Sequence, residues 1–490
     1  MAPVTTASCS RRTFLELTLA CASLAPLSGR AQSAGSDELT SLSLKQVSDL
    51  IARGEVSPTE LTRACLERIE RYDPALNAFI TVVGEQALDA ARQREAELAR
   101  GASRGPLHGI PIALKDNLDT AGVRTTGASE LFVDRVPGED AEVARRLKEA
   151  GAVLLGKLNM HEFAYGGSSD VTHFGTMHNP WALDHATGGS SGGAGVAVAA
   201  DLCYAALGTD TAGSVRIPAA YCGIVGHKPS YGRVSMRGVM TLSWTLDHVG
   251  PMCKTVEDAA LVLGTIAGYD PDDPTTIDAD VPDYTRALGL STRQMRIGLP
   301  QGVFWENLHP EVEAAAREAV RVLAELTAGT TEVTLPPVEV TGTRLWGPEA
   351  YAYHLPWITS SPEKYQPSTR ASLERYADAP ALDYVQARRE VDLARRRIAS
   401  LFTSVDFLVT PTLRQPPPLL TEPNVGGNNA ALFNIFGLPA ISVPCGFTRD
   451  GLPIGLQIVG APHADASVLT LAYAYEQATT WHMRKPTLPS

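Results

Sequence analysis

The sequence predicts an α/β protein with a largely parallel sheet. The first observation is alternation: helical stretches rich in alanine and charge alternate with short apolar runs. Glu85–Arg100 reads as helix, Pro106–Leu114 as strand, Asp140–Ala150 as helix and Val153–Leu155 as buried strand. Such alternation is the pattern of βαβ units, in which each strand returns through a helix. The second is composition. Of 490 residues, 44% are hydrophobic and 20% charged, which is enough apolar material for a large core.

The N-terminus stands apart from this pattern. Ser10-Arg11-Arg12-Thr13-Phe14-Leu15 precedes an apolar run to Leu27 and a small-residue stretch, Gly29–Gly35. Twin arginines, a short apolar core and a small-residue exit read as a Tat-type export signal over residues 1–34. The mature protein, 35–490, is then expected to be periplasmic or secreted. The run is too short, and too interrupted by Glu16, for stable membrane insertion. The five cysteines beyond it (Cys65, Cys203, Cys222, Cys253 and Cys445) are scattered in apolar surroundings and read as buried free thiols.

The mature chain opens with helices. Leu44, Val47, Leu50 and Ile51 recur at helical spacing, and Ser57-Pro58-Thr59-Glu60 starts a second helix with proline at a tolerated position. The proline- and aspartate-rich stretch Asp270–Pro282 marks a surface loop. Met295–Pro300 starts a strand, and Pro310–Leu326 places Val312, Ala316, Ala319, Val320 and Leu323 on one helical face. Trp346, Tyr351, Tyr353, Trp357 and Tyr365 form an aromatic cluster, which the sequence alone assigns to core. Pro416–Pro418 reads as a rigid linker, Asn424–Asn429 as a loop forming the far wall of a pocket, and Ala464–Thr479 as a closing helix.

Chemistry concentrates between Gly188 and Pro218. Gly188-Gly189-Ser190-Ser191-Gly192-Gly193 and Thr211-Ala212-Gly213-Ser214 each set a serine beside flexible backbone, with the small, apolar Ala194–Ala200 between them as a helix. Upstream, the apolar run Ile110–Leu114 delivers Lys115 to a strand end. Taken singly, each piece has an ordinary reading, a flexible turn or a solvated strand end. No histidine or acidic motif stands next to either serine, yet a serine nucleophile needs a base. A lysine serves if burial keeps it neutral. Lys115 as base, Ser190 as proton carrier and Ser214 as nucleophile make a complete relay.

These residues, at separations of 75 and 24, resemble the amidase signature family. The likeness extends to Gly156–Tyr165, His173–Thr176, Gly226–Pro229 and, more weakly, Gly451–Gln457. The resemblance implies a single α/β/α sandwich around a mixed, mainly parallel sheet of about eleven strands. It implies hydrolysis of a carboxylic amide C–N bond through an acyl-enzyme on Ser214. It also implies an oxyanion hole from the N–H groups of Thr211, Ala212, Gly213 and Ser214, a cis Gly189–Ser190 peptide, and a variable helical region around 345–367 over the site. Ala212 departs from the family's usual glycine, and its methyl demands an ordinary backbone angle there. Asp210 and Arg216, also in the family pattern, are expected to brace the nucleophile turn.

No cofactor and no metal are expected. His161-Glu162 lacks the second histidine of a zinc helix, because position 165 is tyrosine, and the glycine-rich stretch lacks the lysine of a phosphate-binding loop. A net charge of −12 without a basic run argues against nucleic acid. The expected partner is a small-molecule amide, met by a monomer or homodimer. Carbamate or ester hydrolysis on the same site, or a role like a glutamine-amidotransferase subunit, are the alternative readings. If the twin arginines direct export, Arg11→Lys/Arg12→Lys should leave the precursor inside the cell on fractionation; unchanged export would refute the signal.

Overall fold

The computed structural model describes residues 36–338, 343–422 and 428–489. The predicted signal, and residues 424–427 of the predicted far-wall loop, lie outside the described residues. Ser36–Ser490 form one compact unit.

Its centre is an eleven-stranded sheet. The strands are β1 (Phe79–Val82), β2 (Pro111–Lys115), β3 (Val153–Leu158), β4 (Ala205–Thr209), β5 (Val225–Lys228) and β6 (Val249–Cys253). There follow β7 (Ile297–Pro300), β8 (Thr330–Val333), β9 (Phe407–Pro411), β10 (Ala440–Phe447) and β11 (Pro453–Gly460). They lie in the order β1-β3-β2-β4-β6-β5-β10-β11-β9-β7-β8. Every residue of β2, β4, β6, β9 and β11 is buried. Successive side chains point to opposite faces, so both faces are covered and the layering is α/β/α. The edge is more open: three of the four residues of β8 are exposed.

The sheet is mixed but not mainly parallel, which corrects the expectation. β2 pairs in parallel with β3 and β4, and β7 with β8 and β9. The pairs β1–β3, β4–β6, β5–β6, β5–β10, β10–β11 and β9–β11 are antiparallel. The alternation in the first third of the chain is real, since β2 to β3 and β3 to β4 return through helices 142–149 and 192–199. The centre is closed instead by strands that run back directly, most simply at the β10–β11 hairpin. There the turn is closed by Gly451 N–H to Thr448 O at 2.9 Å, with Gly451 at φ 85°.

Local signals account for the helices. Ser57 and Glu60 form a reciprocal capping box at the start of helix 58–76, with Pro58 in its first turn. Helix 192–199 is wholly buried. A Cβ on Gly193 would lie 2.4 Å from Asn159 O and 2.5 Å from Ala78 O, so only glycine allows the helix to seat there. The predicted strand at Pro106–Leu114 starts later, at Pro111, because Gly109 takes φ 79° in a turn. The five cysteines are free and buried, as expected, and burial pushes the Cys65 thiol up to about 12.

Candidate active site

The site gathers at the C-terminal ends of the parallel strands β2 and β4. Lys115 is the last residue of β2 and is fully buried. Its Nζ lies 2.7 Å from Ser190 Oγ and 2.7 Å from Thr209 Oγ1, and Thr209 also accepts from Asn117 Nδ2 at 3.2 Å. Burial pulls the Lys115 ammonium down to about 7, opposed by the charges of Asp210 and Asp247. The adjacent Asp116 does not neutralise this effect. Its carboxylate is taken by Thr126 N–H at 2.9 Å and the Thr126 hydroxyl, and lies 3.9 Å from Lys157.

Ser190 sits in the first glycine turn, fully buried, with the Gly189–Ser190 peptide cis. A Cβ on Gly189 would lie 2.8 Å from Ser168 O, so the loop 166–168 closes directly on this turn. Ser191 joins the two glycine turns. Its N–H donates to Ser214 O at 3.3 Å and its hydroxyl to Thr209 O at 3.1 Å.

The second turn is braced as predicted, by a buried pair rather than a surface one. Arg216 grips Asp210 through two bonds of 2.9 and 3.0 Å, both residues fully buried. Asp210 also accepts from Gly213 N–H at 2.8 Å, Val215 N–H at 3.1 Å and Asn434 Nδ2 at 2.8 Å. Burial alone would raise the Asp210 carboxyl, but the Arg216 guanidinium outweighs it and holds the carboxyl well below the usual range. Arg216 further donates to Gln457 Oε1 at 2.5 Å, Asn434 Oδ1 at 2.6 Å and Ala430 O at 3.0 Å.

Of the four predicted oxyanion donors, Gly213 N–H is therefore already engaged by Asp210. The N–H groups of Thr211, Ala212 and Ser214 make no hydrogen bond among the described residues. Gly213 takes φ 118°, whereas Ala212 has no positive φ and its methyl is accommodated.

Ser214 opens onto a cavity of about 240 Å³. Its lining includes Gly189, Thr211, Ala212 and Ser214 together with Tyr165, Ile217, Leu242, Trp346, Asn428 and Ala431. Trp346 thus leaves the aromatic cluster for the cavity wall. Tyr351, Tyr353, Trp357 and Tyr365 pack with Phe163 and its neighbours as core. Asn428 supplies the described part of the predicted far wall. His161 and Glu162 have structural partners: Ser168 Oγ lies 3.1 Å from His161 Nδ1, and Gln366 N–H donates to Glu162 Oε2 at 2.8 Å. A larger groove of about 830 Å³ runs between helices 44–52, 58–76 and 84–99. The histidine that lines it, His108, is held through Nε2 by Arg94 O at 2.9 Å, and its lining among the described residues holds no lysine.

Sequence reasoning missed Thr209, Asn117 and Asn434, and gave Gln457, at the end of the weaker likeness, no role at the site. Thr209 and Asn117 flank the motifs without a pattern of their own, and the other two lie more than 200 residues away.

A family model described as Amidase matches residues 60–469. Among curated relatives, a glutamyl-tRNA(Gln) amidotransferase subunit of Moorella thermoacetica is 42% identical, over 92% of this chain and 99% of the relative. An amidase of Pseudomonas putida is 41% identical, over 92% and 98%. Among solved structures, the native peptide amidase from Stenotrophomonas maltophilia superposes with a TM-score of 0.83 at 31% identity, covering 91% of this chain and 99% of that one. A 6-aminohexanoate cyclic dimer hydrolase gives 0.82 at 27%, with the same coverage.

Removing the guanidinium leaves the Asp210 carboxylate buried without its partner, which costs about 3–5 kcal/mol. Arg216→Leu should accordingly lower the urea midpoint of unfolding by that equivalent; a midpoint equal to wild type would show that the pair is dispensable.

Proposed function

This chain belongs to the amidase family as a hydrolase of carbon–nitrogen bonds, and on that premise we propose that it cleaves uncharged carboxylic amides through an acyl-enzyme on Ser214. The observation that carries the reading is the environment of Lys115: a buried amine whose side-chain partners are hydroxyls, with its pKa near neutrality.

Neutral Lys115 takes the proton of Ser190 as Ser190 takes that of Ser214. Ser214 Oγ attacks the amide carbon. The oxygen gains negative charge facing the N–H groups of Thr211, Ala212 and Ser214, donors commonly worth about 3 kcal/mol each. As the C–N bond breaks, Ser190 returns a proton to the leaving nitrogen and recovers one from Lys115. Water then repeats the sequence on the ester, releasing the acid. Every step moves a proton between groups already present, so the cycle needs no cofactor.

The cavity supports a neutral, apolar substrate. Its described lining holds no charged side chain, while Ile217, Leu242, Trp346 and Ala431 present apolar surface. An uncompensated ion is costly in such surroundings. Identity to amidotransferase subunits favours a second reading, glutamine hydrolysis within a complex. Free glutamine carries an ammonium and a carboxylate, for which the described lining offers no counter-charge. Carbamates and activated esters fit the same site. On the strength of the twin arginines, we place this activity outside the cytoplasm.

Two measurements test the proposal. Neutral anilides should be turned over faster than glutamine or malonamate, and faster turnover of the charged set would overturn the substrate assignment. kcat/KM should fall as pH drops through about 7, because Lys115 gains a proton and can no longer accept one. Lys115→Arg should lose nearly all amide turnover, since guanidinium stays protonated. A folded Lys115→Arg with wild-type turnover would remove lysine from the relay.

A further inference from the structure

A second carboxylate, Asp247, meets the turn that carries Ser214, at Thr211. Beyond the ends of β4 and β6 the ladder continues: Asp210 N–H donates to His248 O at 2.8 Å and His248 N–H to Asp210 O at 3.1 Å. This register sets Thr211 beside Asp247, and the Thr211 hydroxyl donates to Asp247 Oδ1 at 2.5 Å. The other carboxylate oxygen accepts from Leu242 N–H and Ser243 N–H, each at 2.9 Å. Asp247 is 6% exposed, and its three bonds tie together two walls of the cavity, Thr211 on one side and Leu242 on the other.

The connection continues outward. Glu349, on helix 343–358, accepts from the hydroxyls of Ser243 and Thr245, and from Tyr384 at 2.9 Å. One turn before it on the same helix stands Trp346, a cavity wall. Glu349 is itself buried. A continuous series of hydrogen bonds thus runs from the covering helix, through the 242–245 loop and Asp247, to Thr211.

We infer that Asp247 is a positioning residue for the reaction, which holds the Thr211 hydroxyl so that the Thr211 peptide stays fixed at the cavity wall beside Ser214. The inference rests on the reading above, in which the Thr211 N–H is an oxyanion donor. Asp210 anchors the turn at Gly213 and Val215. Thr211, at its other end, has the Asp247 contact as its only side-chain bond among the described residues. Misplacing a preorganised donor by a fraction of its length is enough to weaken transition-state stabilisation.

A role confined to stability is distinguishable by charge. The ionisable groups felt by Lys115 are Asp210 and Asp247, and Lys115 in turn acts on His161. Asp247 is raised to about 6 by burial, against the opposing bonds from Thr211, Ser243 and Leu242, and Glu349 adds a like charge. Its negative charge is present above that pH and favours the protonated form of Lys115. Deleting the charge should therefore move the acid limb of kcat/KM to lower pH.

The test is one series measured on a neutral anilide across pH: wild type, Thr211→Ser, Thr211→Val, Asp247→Asn and Ser214→Ala, each checked by circular dichroism and thermal melting. Thr211→Val should lose about tenfold or more in kcat with KM within about twofold, and Thr211→Ser, which keeps the hydroxyl, should restore it. Asp247→Asn should lose kcat and shift the acid limb downward. Wild-type kcat in Thr211→Val, no rescue by serine, or an unmoved acid limb in folded Asp247→Asn would each overturn the inference. If Asp247→Asn fails to fold, the Thr211 pair decides alone. Activity retained by Ser214→Ala marks the different failure, that of the nucleophile assignment itself.

Discussion

The buried pair of Asp210 and Arg216 is the constraint on which the site depends. A short turn with glycine at its third position has little reason to hold one shape, and an open serine on it has little reason to point anywhere. Asp210 removes that freedom by accepting from Gly213 N–H within the turn and from Val215 N–H just after it. The charge needed for this sits in a region without solvent and is tolerable only because Arg216 meets it with a bidentate contact. Arg216 then passes the anchorage to Asn434, Ala430 and Gln457. The geometry of a four-residue turn is thereby fixed by distant parts of the chain.

Two buried lysines stand on adjacent strands, and they differ in their partners. Lys157 on β3 donates to the Leu118 carbonyl and to Thr125 Oγ1 at 2.8 Å, and lies 3.9 Å from the Asp116 carboxylate. Its surroundings suit an ammonium, and burial brings it only to about 8. Lys115 on β2 has, among the described residues, the hydroxyls of Ser190 and Thr209 as its hydrogen-bond partners, with the Asp210 and Asp247 charges acting on it without contact. Hydroxyls bond equally to an amine or an ammonium, so they do not oppose desolvation as a carboxylate does. Asp116 follows Lys115 in sequence but is occupied by Thr126.

Much of this was legible in the sequence, and the rest was hidden for identifiable reasons. The Lys115, Ser190 and Ser214 motifs carry glycines and apolar runs that announce turns and a buried strand. The helix at Pro310–Leu326 was read to its termini because its apolar face repeats without interruption. Strand direction was misjudged at the centre, since β6, β10 and β11 have the same apolar look whichever way they run. Asn434, Asp247 and Glu349 were invisible because a polar residue buried by tertiary contact has no local pattern. Trp346 shares its sequence neighbourhood with Tyr351 and Trp357, and only the path of helix 343–358 separates the cavity wall from the core.

The reach of Arg216 has a bearing on how the protein is made. Gln457 lies on β11, which occupies the interior of the sheet between β10 and β9. A growing chain on the ribosome therefore carries Lys115, Ser190, Ser214 and the Asp210–Arg216 pair for about half of its length before the Gln457 partner of Arg216 is made. The anchorage of Arg216 is complete only once the last strands have inserted. A polypeptide ending before β11 keeps Lys115, Ser190, Ser214 and the Asp210–Arg216 pair, but lacks Gln457, one of the partners that hold Arg216 in place.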